Sequence, residues 1–329
     1  METVRILGTG SYVPPKVLSN FDLQKMGLDT TDEWIIQRTG VRERRIAEPD
    51  VTAADLGYEA SLKALDMAGM TAKDVDLIIL ATITPDTCCP SGANWLEAKL
   101  DAPQAVSFDL TAACSGFIFG LSVAEQYLKT GTYKNILVVA SEIMTRTLNW
   151  KDRTTCILWG DGAGAAVVAM GSEGPEILST HIHSDGENGQ DLLMPGGGSK
   201  TTPISHESVD KGLHVLNMIE ANASFRVAVR RFIESIKEAA QFNKVAVEDI
   251  NWFIPHQANL RMFQSMAKTL KIPFEKFYVT LHKYGNISSA SCAIAFDEAV
   301  RDGSIKKNDL ICLPVFGGGL TWGSALIRW

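Results

Sequence analysis

Of the six cysteines in the 329-residue chain, Cys114 is the one placed to do chemistry. It follows a β-rich run (105–110) and the small-residue turn Thr111-Ala112-Ala113, and it stands where the apolar helical stretch GFIFGLSVAEQYL begins. A thiol at a helix start meets unsatisfied N–H groups and the positive end of the helix dipole, which favour thiolate and lower its pKa. Position alone leaves two readings open: a nucleophile, or the small buried hydrophobe that most free cysteines are. Cys88, Cys89, Cys156, Cys292 and Cys312 lack that context and read as buried, inert thiols. His256 follows a β-rich run in WFIPHQANLR, and Asn286 sits in KYGNISSAS, a small polar turn before a helix. Singly, each reads as an ordinary turn or capping residue. Together with Cys114, in this order along the chain, they read as a functional set in which Cys114 is the nucleophile.

The elements that must position these residues alternate along the chain. Short β-rich runs at 4–8, 77–82, 105–110, 136–140, 164–170, 250–255, 310–314 and 323–328 are nearly continuous in apolar residues, as in strands covered on both faces. Between them lie amphipathic helical stretches. Residues 52–67 open with a Thr cap, and 221–242 place Phe225, Val229, Phe232, Ile233 and Ile236 on one stripe. This order predicts an α/β core. The stretch 112–142 repeats the turn, helix, glycine and strand order of 288–318, and 73–84 resembles 247–257. The offset of about 172 residues predicts two homologous halves and sets Asn286 opposite Cys114. The halves are expected at 1–172, carrying the cysteine, and 173–329, carrying the histidine and asparagine. The Gly, Ser, Thr and Pro rich segment 184–211 reads as an exposed excursion.

Composition narrows the class. Hydrophobic residues make up 46% and charged residues 21%, with 27 Gly and 12 Pro, the proportions of a globular protein large enough to need no disulfide or metal staple. The net charge of -7 (31 Lys+Arg against 38 Asp+Glu) gives no bulk attraction to nucleic acid or anionic lipid. The cysteines show no CxxC spacing, which fits a reducing compartment. The start, METVRILGTGSYVPP, lacks signal-peptide character, and no membrane-length apolar run occurs. A soluble, cytoplasmic protein without nucleic-acid or membrane partners is the expectation.

At this point a family comes into view. GTGSYVPP near the start, TTDEWIIQRTGVRERRI (30–46), AACSGF around Cys114, GDGAGAAV (160–167), PHQAN around His256, YGN around Asn286 and FGGGLTWGSA (316–325) occur in order over the whole chain. In these motifs the chain resembles the thiolase-fold condensing enzymes, most closely the β-ketoacyl-acyl-carrier-protein synthase III family. The resemblance implies two pseudo-duplicated halves in α-β-α-β-α layers, a homodimer, and a Cys114-His256-Asn286 site. It implies a decarboxylative condensation of an acyl-CoA primer with malonyl-acyl-carrier protein, without metal or cofactor, that begins fatty acid synthesis. Cys114 and Gly318, in the Gly317–Gly319 turn, would supply the oxyanion hole.

By the same resemblance, Thr30, Trp34, Arg38 and Arg153 belong to the CoA entrance, where aromatic and guanidinium groups suit adenine and phosphates. Asn222, Phe225, Ala258 and Asn259 belong to the pantetheine channel. Carrier-protein contact falls to Gln257, Ala258, Asn259, Leu260 and Arg261, with Arg226. Cys89 stands where some members carry a bulky Phe at the end of the acyl pocket, across the dimer interface, and so leaves room for longer or branched primers. Thr154, after Arg153, and Ala221 depart from the usual glycines. Two other classes share parts of this pattern. A Cys-His-Asn hydrolase uses the same residue types but not the duplicated α/β order, and a non-catalytic acyl-binding protein would not need all three groups. Within the fold, a specialised condensing enzyme of secondary metabolism is the alternative.

Overall fold

The computed structural model describes residues 2–190, 192–199, 203–218 and 221–329, without the side chains of residues 188 and 221–224. Among them the main sheet has nine strands: β1 (Thr3–Tyr12), β2 (Leu77–Ala81), β3 (Val106–Leu110), β4 (Asn135–Ile143), β5 (Asp161–Gly171), β6 (Glu176–Ser184), β7 (Trp252–Phe253), β8 (Leu310–Gly317) and β9 (Thr321–Arg328). Their spatial order is β7-β8-β9-β6-β1-β5-β4-β2-β3. β2 runs parallel to β3 and β4, and β7 runs parallel to β8. β1 and β6 share a single register pair, Arg5 with Glu176, so the sheet is two leaves joined at one corner. Seven longer helices accompany it: α1 (Asp32–Thr39), α2 (Ala53–Ala68), α3 (Gly92–Leu100), α4 (Gly116–Lys129), α5 (Ala221–Phe242), α6 (Leu260–Leu270) and α7 (Ala290–Arg301).

The cores define five layers. α2 and α3 cover one leaf through Leu56, Ala60, Ala64 and Leu96, packed with Ile78, Leu80, Leu137 and Val139. α5 and α6 cover the other through Phe232, Ile236, Phe263 and Met266, packed with Phe253, Cys312 and Leu326. Between the leaves lie α4 and α7, whose Phe117, Leu121, Ile294 and Ala295 share a core with Ile79, Val138, Ile311 and Leu313. A helix covered on both faces cannot carry a polar stripe, and α7 accordingly buries residues 290–297 without a break. Among the described residues no helix is long and apolar enough to cross a membrane.

Several motifs are explained by this packing. A Cβ on Gly8 or Gly10 would lie 2.2 Å from the carbonyl oxygens of Ala64 and Ala60, so both glycines let α2 lie directly on β1. Thr9 and Ser11 donate hydroxyl hydrogen bonds to Asp297, at 2.8 and 2.7 Å, and so tie β1 to α7. The fully buried Arg44 donates to the carbonyls of Leu18 and Ile157 and to Asn20 Oδ1. Burial brings its guanidinium down to about 10.

Four expectations change. β6, a central strand, was not foreseen: its sequence EILSTHIHS interleaves polar and apolar residues instead of running apolar. The run expected at 164–170 starts earlier, at Asp161, so that β5 includes Gly162 and Gly164, where α7 crowds both positions. The segment 184–211 is not a simple excursion either. Leu192–Leu193 pairs with Asn217–Met218, and Leu192 returns to the cavity described below. The offset between the halves also shifts. Ala113 and Ser288 share a left-handed φ of 46° in the turns that lead into α4 and α7, and 288 minus 113 is 175. Ser289, and not Asn286, therefore stands opposite Cys114.

Candidate active site

Cys114 lies in the single helical turn Ala113–Ser115 that joins β3 to α4, and it is buried. The positive φ of Ala113 is the strained step that turns the chain into the helix. The facing wall is the glycine turn after β8. Thr321 Oγ1 donates to the Ala112 carbonyl at 2.9 Å, and Ser115 Oγ donates to the Thr321 carbonyl at 3.1 Å. These bonds hold the turn against the nucleophile so closely that a Cβ on Gly317 would lie 2.7 Å from the Cys114 nitrogen.

His256 extends the chain beyond β7, its N–H donating to the Pro314 carbonyl at 3.0 Å. The imidazole is 2% exposed, and its Nδ1 has no partner among the described residues. Burial takes its pKa down to about 3, so the ring is neutral. Asn286 is held by an isolated parallel bridge to Trp159, with its N–H on the Leu158 carbonyl (2.7 Å) and its own carbonyl accepting from Gly160 (2.9 Å). Its Oδ1 accepts from the Ser288 N–H at 2.8 Å, which leaves the NH2 end of the amide for other partners.

The lowered thiol pKa expected at the helix start is overturned. Desolvation is the largest influence and pushes Cys114 up to about 12; the Ser288 hydroxyl opposes this without a hydrogen bond of ordinary geometry, and Glu142 adds to it. Glu142, fully buried behind the nucleophile, was missed in the sequence. It accepts from Ser289 (2.8 Å), Thr82 (3.1 Å), Thr84 (2.6 Å) and the Ile83 N–H (3.1 Å), while burial raises its own pKa.

Cys114, His256 and Asn286 line one narrow cavity of about 110 Å³, together with Phe225, Ala258 and Gly318. Trp159, Leu192, Met218, Met262 and Phe316 complete much of the wall and were not anticipated. Trp159 and Phe316 border the GDGAGAAV and FGGG motifs, a usable signal. Leu192 and Met218 carry none, because a two-residue strand pairing distant in sequence from the motifs brings them back to the site.

Thr30, Trp34, Arg38, Arg153 and Asn259 do not line this cavity. The Trp34 ring stacks with Arg38 at 5.5 Å and Arg153 at 5.1 Å, and Arg153 pairs with the Asp29 carboxylate at 3.0 Å. Thr30 Oγ1 is buried without a partner among the described residues. Asn259 caps α6 and donates to the Arg38 carbonyl at 3.1 Å, which links this group to the cavity's Ala258. Thr154 turns its hydroxyl and N–H onto Asp152. The Asn222 side chain, like that of Ala221, lies outside the described residues.

The carrier-contact expectations divide. Gln257 is corrected: it is 1% exposed and spends its amide on the Pro255 and Tyr278 carbonyls and the Thr280 and Leu281 N–H groups, so no partner can reach it. Leu260 is half-buried against two cores and presses its Cβ toward Gly40. Arg226 and Arg261 are exposed, the latter 5.9 Å from the Phe225 ring. Cys88 and Cys89 are exposed, not buried, and Cys89 does not line the cavity of its own chain.

Known proteins resemble this chain in sequence and fold. A family model for 3-oxoacyl-[acyl-carrier-protein (ACP)] synthase III matches residues 108–186, and the model of its C-terminal part matches residues 240–329. A β-ketoacyl-[acyl-carrier-protein] synthase III of Caldanaerobacter subterraneus subsp. tengcongensis is 50% identical over 324 residues, 98% of this chain and 97% of its own. The solved 3-oxoacyl-[acyl-carrier-protein] synthase III of Aquifex aeolicus VF5 is 41% identical with a TM-score of 0.90, covering 99% of this chain and 100% of that one. The priming β-ketosynthase of the R1128 polyketide pathway is 35% identical with a TM-score of 0.90, covering 99% and 96%. The layered fold and these relatives define a thiolase-fold condensing enzyme, an acyltransferase. The chain belongs to the β-ketoacyl-acyl-carrier-protein synthase III family.

Proposed function

We propose that Cys114 takes an acyl group from a short or branched acyl-CoA and that the acyl-enzyme then condenses with malonyl-acyl-carrier protein, opening fatty acid synthesis. The observation that carries this is the meeting of Cys114, His256 and Asn286 in one cavity. In the first half-reaction the sulfur forms a bond to the acyl carbon, the bond to the CoA sulfur breaks, and the thiol proton leaves with it as CoA–SH. In the second, malonyl loses carbon dioxide, and the electron pair left behind forms the new carbon–carbon bond to the acyl group. Cys114 leaves and regains a proton. A neutral His256 and the free NH2 end of Asn286 are suited to donate to the thioester oxygen as the enolate develops. Backbone N–H groups of Cys114 and the Gly317–Gly318 turn serve the acyl-transfer oxyanion. These steps draw on no metal or cofactor.

CoA enters past Trp34, Arg38 and Arg153, whose stack opens to receive the adenine and phosphates, with Thr30 and Asn259 beside it. Phe225, Ala258 and Asn222 line the pantetheine path. The protein works as a homodimer in the cytoplasm, with the exposed Cys89 loop of each copy closing the partner's acyl pocket. The likeness to the R1128 priming synthase supports a second reading, in which a dedicated carrier replaces the fatty acid carrier. Intact-mass spectrometry with acetyl-CoA should show a single adduct, absent in Cys114→Ala. His256→Ala and Asn286→Ala should still acylate but lose malonyl decarboxylation. An adduct persisting in Cys114→Ala ends the assignment, and a panel of primers and carriers separates the two readings.

A further inference from the structure

Trp159 belongs to the cavity wall and is 2% exposed, yet its indole N–H finds no acceptor among the described residues. Two other tryptophans of the chain satisfy theirs: Trp95 donates to Thr87 Oγ1 at 2.9 Å and Trp150 to the Thr145 carbonyl at 3.2 Å. A buried, unpaired donor is destabilising unless something else fills the role. Its position says what that is. Trp159 bridges Asn286 in register, with hydrogen bonds on either side through Leu158 and Gly160. Paired residues of adjacent strands point to the same face, so the indole and the Asn286 amide project side by side.

The Asn286 oxygen is already engaged, so the amide, like the indole, presents only hydrogen-bond donors. Donors set among Leu192, Met218 and Phe316 suit a neutral acceptor, a carbonyl oxygen, better than an ion that would lose its hydration there. We propose that the Trp159 indole N–H donates to a carbonyl oxygen of the bound acyl-pantetheine thioester, making it a substrate-binding residue beside Asn286. This rests on the cavity being the thioester site.

Trp159→Phe removes the donor and keeps a flat apolar ring; 3-benzothienylalanine at position 159 removes it while keeping the bicyclic shape. Either replacement should lower kcat/KM for condensation about tenfold, the scale of one lost hydrogen bond, without lowering the melting temperature. Rates within about twofold of the wild type would overturn the proposal. In Cys114→Ala, the Trp159 indole resonance in a 15N spectrum, identified by its loss in Trp159→Phe, should move on adding acetyl-CoA. Movement with acetyl-CoA but not with CoA assigns the thioester carbonyl, and movement with both assigns a pantetheine amide carbonyl. A resonance silent to both overturns it. If the wild-type chain failed to condense while the resonance still moved, the reaction reading would fail and this contact would stand.

Discussion

With its thiol held at about 12, Cys114 is almost wholly protonated at neutral pH, so acylation has to move a proton as the sulfur attacks. Two neighbours pull on that proton in opposite directions. The Ser288 hydroxyl favours thiolate, while the Glu142 carboxyl, which has no cationic partner among the described residues, disfavours a second negative charge nearby. The sign for a variant follows directly. Glu142→Gln removes a negative charge, so the thiol pKa falls and the pH profile of Cys114 alkylation by iodoacetamide moves to lower pH. At pH 8 the rate should rise about threefold, equivalent to half a pKa unit. A profile unmoved by the substitution would show that Glu142 acts only through its four hydrogen bonds.

At the scale of elements, the site is made where strand ends meet helix starts. β3 delivers Cys114 to α4, the segment after β7 delivers His256 to α6, and Asn286 precedes α7. The glycine turn after β8 is the least adjustable of these pieces, since Gly317 abuts the Cys114 backbone, while a Cβ on Gly318 would meet Leu192 at 3.4 Å and Ala113 at 3.7 Å. Gly317→Ala should therefore push the turn away and slow formation of the acyl-enzyme by about 100-fold, the scale of a lost oxyanion donor. Gly318→Ala, whose new methyl meets only ordinary contacts, should acylate within a few-fold of the wild type. Quench-flow mass spectrometry of the acyl adduct measures both, and equal rates in the two variants would refute the close fit at Gly317.

Across the whole molecule, an acidic carrier must approach a protein of net charge -7, so attraction has to be local. Arg261 stands exposed on the first turn of α6, next to Phe225 of the cavity wall. Arg261→Glu should raise KM for malonyl-carrier several-fold and weaken its salt dependence, with acylation by a CoA primer unchanged; unaltered carrier kinetics would remove Arg261 from the docking surface. The opposite end of the sheet offers a surface for the homodimer proposed above. β3 is an edge strand, and Val106 on it is 48% exposed, with Trp95 of the adjoining α3 at 46%. A free apolar edge invites a second copy. Val106→Lys should shift sedimentation from dimer to monomer, and a dimer that survives it would place the interface elsewhere.

What the amino-acid order determined by itself was the local chemistry and the class. Strand and helix alternation is written in hydrophobic spacing, so the α/β layers and the helix start at Cys114 were legible, as was the Cys-His-Asn set carried by its motifs. Tertiary structure decided what depends on burial and on the return of distant segments. Desolvation reversed the expected pKa of Cys114, and internal hydrogen bonds withdrew Gln257 from any docking surface. Long-range packing brought Glu142, Trp159 and Leu192 to a site that none of them adjoins in sequence. Local patterns report propensity and periodicity; they cannot report which polar groups the fold will cut off from water, and at this site that decides the electrostatics.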